Sequence, residues 1–248
     1  MVNKELKRYN KKNGYSYTLG AFPTFELLKS RPATVDRILL HSTVTQETGD
    51  KIRHICEEKH ILSVVSDKTI ERIREKDSCL VIGVFHKFDS RLDHNKNHVV
   101  LVNPSDSGNM GTIIRTCVGF GIHDLAIIEP AIDIFNPKTV RASMGALFRM
   151  NFHYFPDFDS YRKIYAGGVK RKLYPFMLNG AKKLGTFEID NNIPFSLIFG
   201  NESSGLDDSF LNVGQSVLIA HTSDIDSLNL SLASGIAIYE FTKKSFCD

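Results

Sequence analysis

Phe195-Ser-Leu-Ile-Phe-Gly-Asn-Glu-Ser-Ser-Gly-Leu206 is an apolar strand that runs directly into a glycine-rich polar turn. A strand that is apolar almost throughout, rather than at alternate positions, suits a parallel sheet covered by helices on both faces. Three further stretches repeat the pattern: His98-Val-Val-Leu-Val102, Leu125-Ala-Ile-Ile128 and Ser216-Val-Leu-Ile-Ala220. Helical patterns lie between them over residues 112–120 and at the end over 229–241. The alternation predicts an α/β fold with a mostly parallel sheet, an architecture that places ligands at the carboxyl ends of its strands.

Upstream, Phe22-Pro-Thr-Phe-Glu-Leu-Leu28 reads as a helix start, with Pro23 tolerated in the first turn. A strand at Arg37-Ile-Leu-Leu-His41, an amphipathic helix over 49–59, a strand over 61–65, a short helix over 67–75 and a strand over 79–85 follow. They predict a small α/β sandwich of about 85 residues. Residues 86–97 hold charges, Asn and Asp but only two large apolar side chains, and read as a linker. The expected division is therefore a first domain over 1–90, a linker over 91–97 and a second domain over 98–248.

Hydrophobic residues at 42% and charged residues at 24% of 248 describe a chain able to bury a core. The net charge of +3 is too mild to require a polyanionic partner, but its distribution is uneven. Lys and Arg outnumber Asp and Glu 18 to 13 over residues 1–96 and fall short, 13 to 15, over the rest. A nucleic acid would meet the first segment first, although a solvated basic face explains the same count. Cys56, Cys79, Cys117 and Cys247 form no CxxC pair and have no His at zinc-finger spacing, so the expectation is reduced thiols with neither disulfide nor metal. The first twenty residues contain no apolar signal core, and no stretch approaches the roughly 18 apolar residues of a membrane span; a cytoplasmic protein without a membrane partner is expected.

Three polar turns follow apolar strands. Asn103-Pro-Ser-Asp-Ser-Gly-Asn-Met-Gly-Thr-Ile-Ile-Arg115 opens a helix; Asn109 is a suitable cap and Arg115 falls about two turns along. Neither it nor Gly119-Phe-Gly121 satisfies GxGxxG, which disfavours a dinucleotide site. In the second turn Gly200 and Gly205 have the outer spacing of a P-loop, but Leu206 and Asp207 stand where Lys and Ser or Thr would hold phosphate and magnesium. The third, Ile219-Ala-His-Thr-Ser-Asp-Ile-Asp-Ser-Leu-Asn-Leu-Ser231, enters the last helix through Ser227 and Asn229, both natural caps.

Taken together, in this order and spacing, the turns resemble the motifs of the SpoU/TrmH branch of the SPOUT methyltransferases. Asn109 followed by five residues and Arg115 matches the first motif, extended by Lys138-Thr-Val-Arg-Ala-Ser-Met-Gly-Ala-Leu-Phe148; Phe199 to Leu206 resembles the second and Asp226-Ser-Leu-Asn-Leu-Ser231 the third. One departure is that Asn229-Leu-Ser-Leu-Ala continues directly where many relatives insert a small apolar or Pro-containing turn. The resemblance covers residues 97–243. It implies a trefoil-knotted sheet, a bent S-adenosylmethionine in the knot, a homodimer whose site uses both subunits, and methyl transfer to a ribose 2'-hydroxyl of RNA, with rRNA favoured over tRNA. The amino-terminal unit, through Tyr17-Thr-Leu-Gly-Ala-Phe22 and its order of elements, resembles substrate-binding domains similar to small ribosomal RNA-binding proteins.

The same resemblance implies catalytic roles for Arg115, Asn109, Glu202, Ser227 and Asn229. It implies cofactor contacts at Gly200, Asn201, Ile219 and Leu228, largely through backbone groups, and at Ser143, Met144 and Gly145. Arg115 and Arg141 are the expected RNA ligands, Arg141 being equally well read as a structural salt bridge; no metal is implied. A guanidinium with a pKa above about 12 is a poor proton acceptor, so Arg115 is expected to anchor a phosphate and stabilise the developing alkoxide. The alternative is a catalytically inactive RNA-binding paralogue, which binding of S-adenosylhomocysteine would distinguish.

Overall fold

A computed structural model describes residues 6–168, 170–190 and 192–246; Cys247 lies outside them. The chain divides into two compact units, one of residues 1–88 with 133–149 and the other of 89–132 with 150–248. This differs from the expected single cut near residue 90. Residues 133–149 join the first unit because their backbone and side chains are bonded and packed there: Ser16 donates to the Phe135 carbonyl at 2.5 Å, Arg31 to that of Phe148 at 3.0 Å, and Phe148 packs edge-on against Phe85.

The first unit carries β1 (Tyr15–Leu19), α1 (Ala21–Ser30), β2 (Val35–Leu40), α2 (Gln46–Glu58), β3 (Leu62–Val65), α3 (Asp67–Ile73), β4 (Val81–His86) and, from the inserted segment, α5 (Pro137–Ala142). Its sheet has the order β1-β4-β2-β3, with only β2 and β3 parallel. Alternation along β2 sends Ile38 and Leu40 to a core with Leu28, Ile52 and Cys56, and Leu39 to the opposite core with Tyr17, Ile70 and Val84. Helices thus cover both faces, the sandwich that the sequence predicts. The additional strand, β1, escapes the pattern because Tyr15-Ser-Tyr-Thr-Leu19 mixes hydroxyl and apolar residues yet is buried from Ser16 onward.

In the second unit β5 (His98–Val102), α4 (Ser107–Gly119), β6 (Asp124–Ile128), β7 (Asn151–Phe155), α6 (Phe158–Tyr165), β8 (Lys172–Pro175) and β10 (Phe195–Phe199) build a five-stranded parallel sheet of order β7-β6-β5-β10-β8. The predicted strand over 216–220 shortens to β11 (Val217–Leu218), which pairs with β9 (Lys182–Lys183) outside the main sheet. The last helix, α7 (Leu230–Thr242), packs on α4. Strand order reverses between β5 and β10, which is where open α/β sheets bind ligands.

The expected linker is held firmly. Leu92 is buried, and the guanidinium of Arg171 donates at 2.8 Å to the carbonyls of both His94 and Lys96 and at 2.9 Å to that of Phe195. A buried guanidinium needs acceptors for its N–H groups, and these polar linker residues provide them through their backbone. Burial first, and the neighbouring Arg171 second, push the pKa of His98 down to about 3, so it stays neutral while bonding the Tyr161 hydroxyl. Cys56, Cys79 and Cys117 are buried free thiols.

Candidate functional site

At the end of β5 the chain turns through Asn103, whose φ of 53° is left-handed. Asn tolerates that region better than most residues. Its amide donates to the Glu129 carbonyl at 2.7 Å, tying the end of β5 to the end of β6. Three residues on, Asp106 caps α4 by accepting from the backbone N–H of Asn109 at 2.7 Å. Asp106, not Asn109, is therefore the cap, and the Asn109 side chain is left available for the site.

At the end of β10, Asn201 and Gly205 close a tight turn through reciprocal backbone bonds of 3.2 and 2.9 Å. Gly200 has no room for a side chain: a Cβ there would lie 2.1 Å from the Gly205 carbonyl carbon. The turn aims Glu202 back at β5. Its carboxylate accepts from the Ser105 hydroxyl at 2.7 Å, from the Ser105 and Asp106 N–H groups at 3.1 Å each, and from the Asn109 amide at 3.3 Å. Burial works to raise the pKa of Glu202, but these donors together outweigh it and hold the carboxyl below its usual range. Asn201 in turn donates to the Asn103 carbonyl at 2.7 Å.

The third turn closes the chain of bonds. Asn229 caps α7 by accepting from Ser231 N–H at 2.9 Å and Leu232 N–H at 3.3 Å, and its amide donates to the Asn109 side-chain oxygen at 3.1 Å. Glu202, Asn109 and Asn229, one from each turn, thus stand in one continuous network. The capping and site readings of Asn229 hold together.

Beside this network lies a cavity of about 570 Å³ walled by Phe176, Met177, Phe199, Leu206 and Leu230, with Gly200, Asn201, Glu202, Ile219, Ser227 and Leu228 also on its lining. Among the described residues two carboxylates, Glu202 and Asp208, face it, and neither Lys nor Arg does. Met177, Leu178 and Asn179 line it without any sequence signal, because the 176–179 stretch carries no motif and reaches the site only through the pairing of β8 with β10; His221 lines it from within the third turn, where the motif gave it no role.

The network and cavity do not include every expected residue. Arg115 is exposed on α4, has no ion pair among the described residues, and does not line the cavity. Six residues along a helix from Asn109 rotate it to a different face. Ser143, Met144 and Gly145, expected to contact the cofactor, fall in the other unit, are spent on local structure and are not part of this cavity's lining. Ser143 is buried and donates to the Val140 carbonyl at 2.8 Å, while Met144 and Gly145 turn the chain at φ of 50° and 80°. Arg141 pairs with Glu75 at 3.3 Å, the salt bridge left open above.

Residues 96–239 match the model of the SpoU rRNA Methylase family. The chain is 30% identical over 154 residues, 59% of its length and 52% of the other's, to a 23S rRNA (uridine(2479)-2'-O)-methyltransferase of Streptomyces viridochromogenes. It is 30% identical over 166 residues, 64% of its length and 63% of the other's, to the 23S rRNA (guanosine(2553)-2'-O)-methyltransferase RlmP of Bacillus subtilis. The match thus spans between about half and just under two thirds of these relatives. Among solved structures, the SpoU methyltransferase AviRb of S. viridochromogenes in complex with AdoMet has the same fold, with a TM-score of 0.79 over 95% of this chain and 92% of that one at 22% identity.

Proposed function

This chain belongs to the SpoU rRNA Methylase family, and from that premise we propose that it is an S-adenosylmethionine-dependent RNA 2'-O-methyltransferase acting on rRNA in the cytoplasm. The observation that carries the reading is the chemistry of the cavity wall. An ionised Glu202 and an Asp208, unopposed by Lys or Arg, favour a cationic sulfonium and disfavour a nucleotide polyphosphate. The apolar side chains of Met177, Phe199 and Leu206 suit an adenine ring, and the volume is that of a small-molecule site.

When bound, S-adenosylmethionine supplies a methyl group on positive sulfur and leaves as a neutral thioether. Gly200, Asn201, Ile219 and Leu228 would hold it, chiefly through backbone groups. Asn109, Glu202, Ser227 and Asn229 would fix the wall against which the ribose sits. Arg115 would anchor the phosphate beside the ribose and stabilise negative charge on the 2'-oxygen as its proton passes to that phosphate. The 23S rRNA named for both relatives supports rRNA over tRNA, and the basic first segment supports an RNA-binding role for the amino-terminal unit.

The knot and the homodimer belong to the same proposal. Helix α7 is apolar all round, and Leu232, Ile236 and Tyr239 are 62%, 45% and 53% exposed at i, i+4 and i+7. Such a stripe calls for a covering surface. A second copy covering it would also bring the exposed Arg115 to a site that its own chain leaves incomplete. The protein is expected to sediment as a dimer, and Leu232→Asp with Ile236→Asp as a monomer that has lost methyl transfer; a monomeric wild type refutes the arrangement.

Calorimetry with S-adenosylhomocysteine, NAD and ATP, paired with transfer of labelled methyl to rRNA, tests the function. Binding of the first alone, with label recovered in alkali-stable dinucleotides, is the expected result. Binding without transfer identifies an inactive paralogue, and no binding defeats the reading.

A further inference from the structure

A second cavity, of about 500 Å³, lies wholly within the first unit. Its lining joins three separated segments: Arg8 and Tyr9 from the leader, Arg74 and Glu75 at the end of α3, and Asn136 and Lys138 at the start of α5. The leader is fastened there because the Tyr9 hydroxyl donates to Asp133, which also pairs with Lys87 at 3.0 Å. Lys87 further lies 5.0 Å from the centre of the Tyr9 ring.

The charges around this cavity do not cancel. Arg74 is neutralised by Glu71 at 2.6 Å, and Glu75 is engaged by Arg141 at 3.3 Å. That leaves Arg8, whose bonds among the described residues use only Nε, at 3.2 Å from the Arg72 carbonyl, and Lys138, exposed and without an ion pair among the same residues. The side-chain oxygen of Asn136 already accepts from Lys138 N–H at 2.9 Å, so its remaining capacity is its amide donors. Beside the Glu75 carboxylate that Arg141 engages, the groups offered to a ligand are N–H donors, two of them cationic. They match phosphate oxygens, and the volume suits a single nucleotide.

We propose that this cavity is an RNA subsite that clamps one backbone phosphate between Arg8 and Lys138, in the unit that does not carry the methyl-transfer motifs' network. The proposal rests on the reading of the substrate as RNA. It assigns a function to the basic leader and explains why a segment of the motif-bearing region is built into the first unit.

The test uses the full chain and a short fluorescein-labelled single-stranded oligouridylate, followed by anisotropy across a potassium chloride series. Arg8→Glu with Lys138→Glu is expected to weaken binding at low salt by about tenfold or more. The slope of log affinity against log salt should fall by about 0.7, the value for one lost phosphate contact on a single strand. S-adenosylhomocysteine affinity and melting temperature should remain at wild-type values, and Arg8→Lys with Lys138→Arg should retain RNA affinity within about threefold, since a phosphate held between two cations from opposite sides depends on their charge rather than on a paired fork. Wild-type affinity and slope in the double Glu variant overturn the subsite, as does a wild type that binds S-adenosylhomocysteine but not the oligonucleotide. A wild type that binds the oligonucleotide through Arg8 and Lys138 but not S-adenosylhomocysteine upholds the subsite and defeats the methyl-transfer reading, so the two fail separately.

Discussion

Gly200→Ala is expected to abolish measurable S-adenosylhomocysteine binding, a loss of at least about 100-fold, and to lower stability by about 1–3 kcal/mol. The added methyl would lie 2.1 Å from the Gly205 carbonyl carbon, 2.2 Å from its oxygen and 2.4 Å from the Leu206 nitrogen. All three are backbone atoms of the turn itself, so no side chain can rotate to relieve the overlap. The turn must open, and opening it withdraws Asn201 from the Asn103 carbonyl and Glu202 from its four donors. The damage therefore acts through the shape of the site rather than by plugging it. Gly119→Ala supplies the control: no atom lies within 4 Å of its added Cβ, and affinity should not change. Calorimetry and thermal melts on the two variants decide the matter, and binding by Gly200→Ala within about threefold of wild type would contradict the geometry.

Arg115→Ala should show the opposite signature. Because Arg115 is exposed and does not line the cavity, the variant should bind S-adenosylhomocysteine normally and melt normally. Single-turnover methyl transfer should nevertheless fall by about 100- to 1000-fold, the scale associated with losing one charge-stabilising donor in a transition state. Arg115→Lys separates charge from shape: a lysine keeps the charge but cannot present two parallel N–H groups to a phosphate or alkoxide. A rate near wild type for the Lys variant would disprove the fork-dependent role, and a normal rate for the Ala variant would remove Arg115 from the reaction altogether.

The two residues differ in how far their local sequence foretold their surroundings. Gly200 sits at the end of a strand whose near-continuous apolar run announces burial, and a glycine after such a strand announces a tight turn. Arg115 is one of many helical cations, and only the company of the other motifs singles it out. Asn109 lies between these cases. A residue of its type near a helix start reads as a cap, yet Asp106 takes that role, and which of two neighbouring side chains caps a helix depends on where the preceding turn ends. Here that turn is set by Asn103, held left-handed with its amide on the Glu129 carbonyl, a bond spanning 26 residues.

The central strands β5, β6 and β10, the covered parallel sheet and the three polar turns were legible in the sequence, because burial periodicity and glycine placement are properties of neighbouring residues; the outer strands β7 and β8, whose polar residues interrupt the apolar run, were not. Tertiary structure alone decided that Glu202, Asn109 and Asn229 meet, that Ser143 to Gly145 are spent on a turn elsewhere, and that residues 133–149 build part of the first unit. Each of these depends on which strands lie side by side. The insertion of β10 between β5 and β8 brings together residues nearly a hundred positions apart, and pairing at that range leaves no trace in the local pattern of either partner.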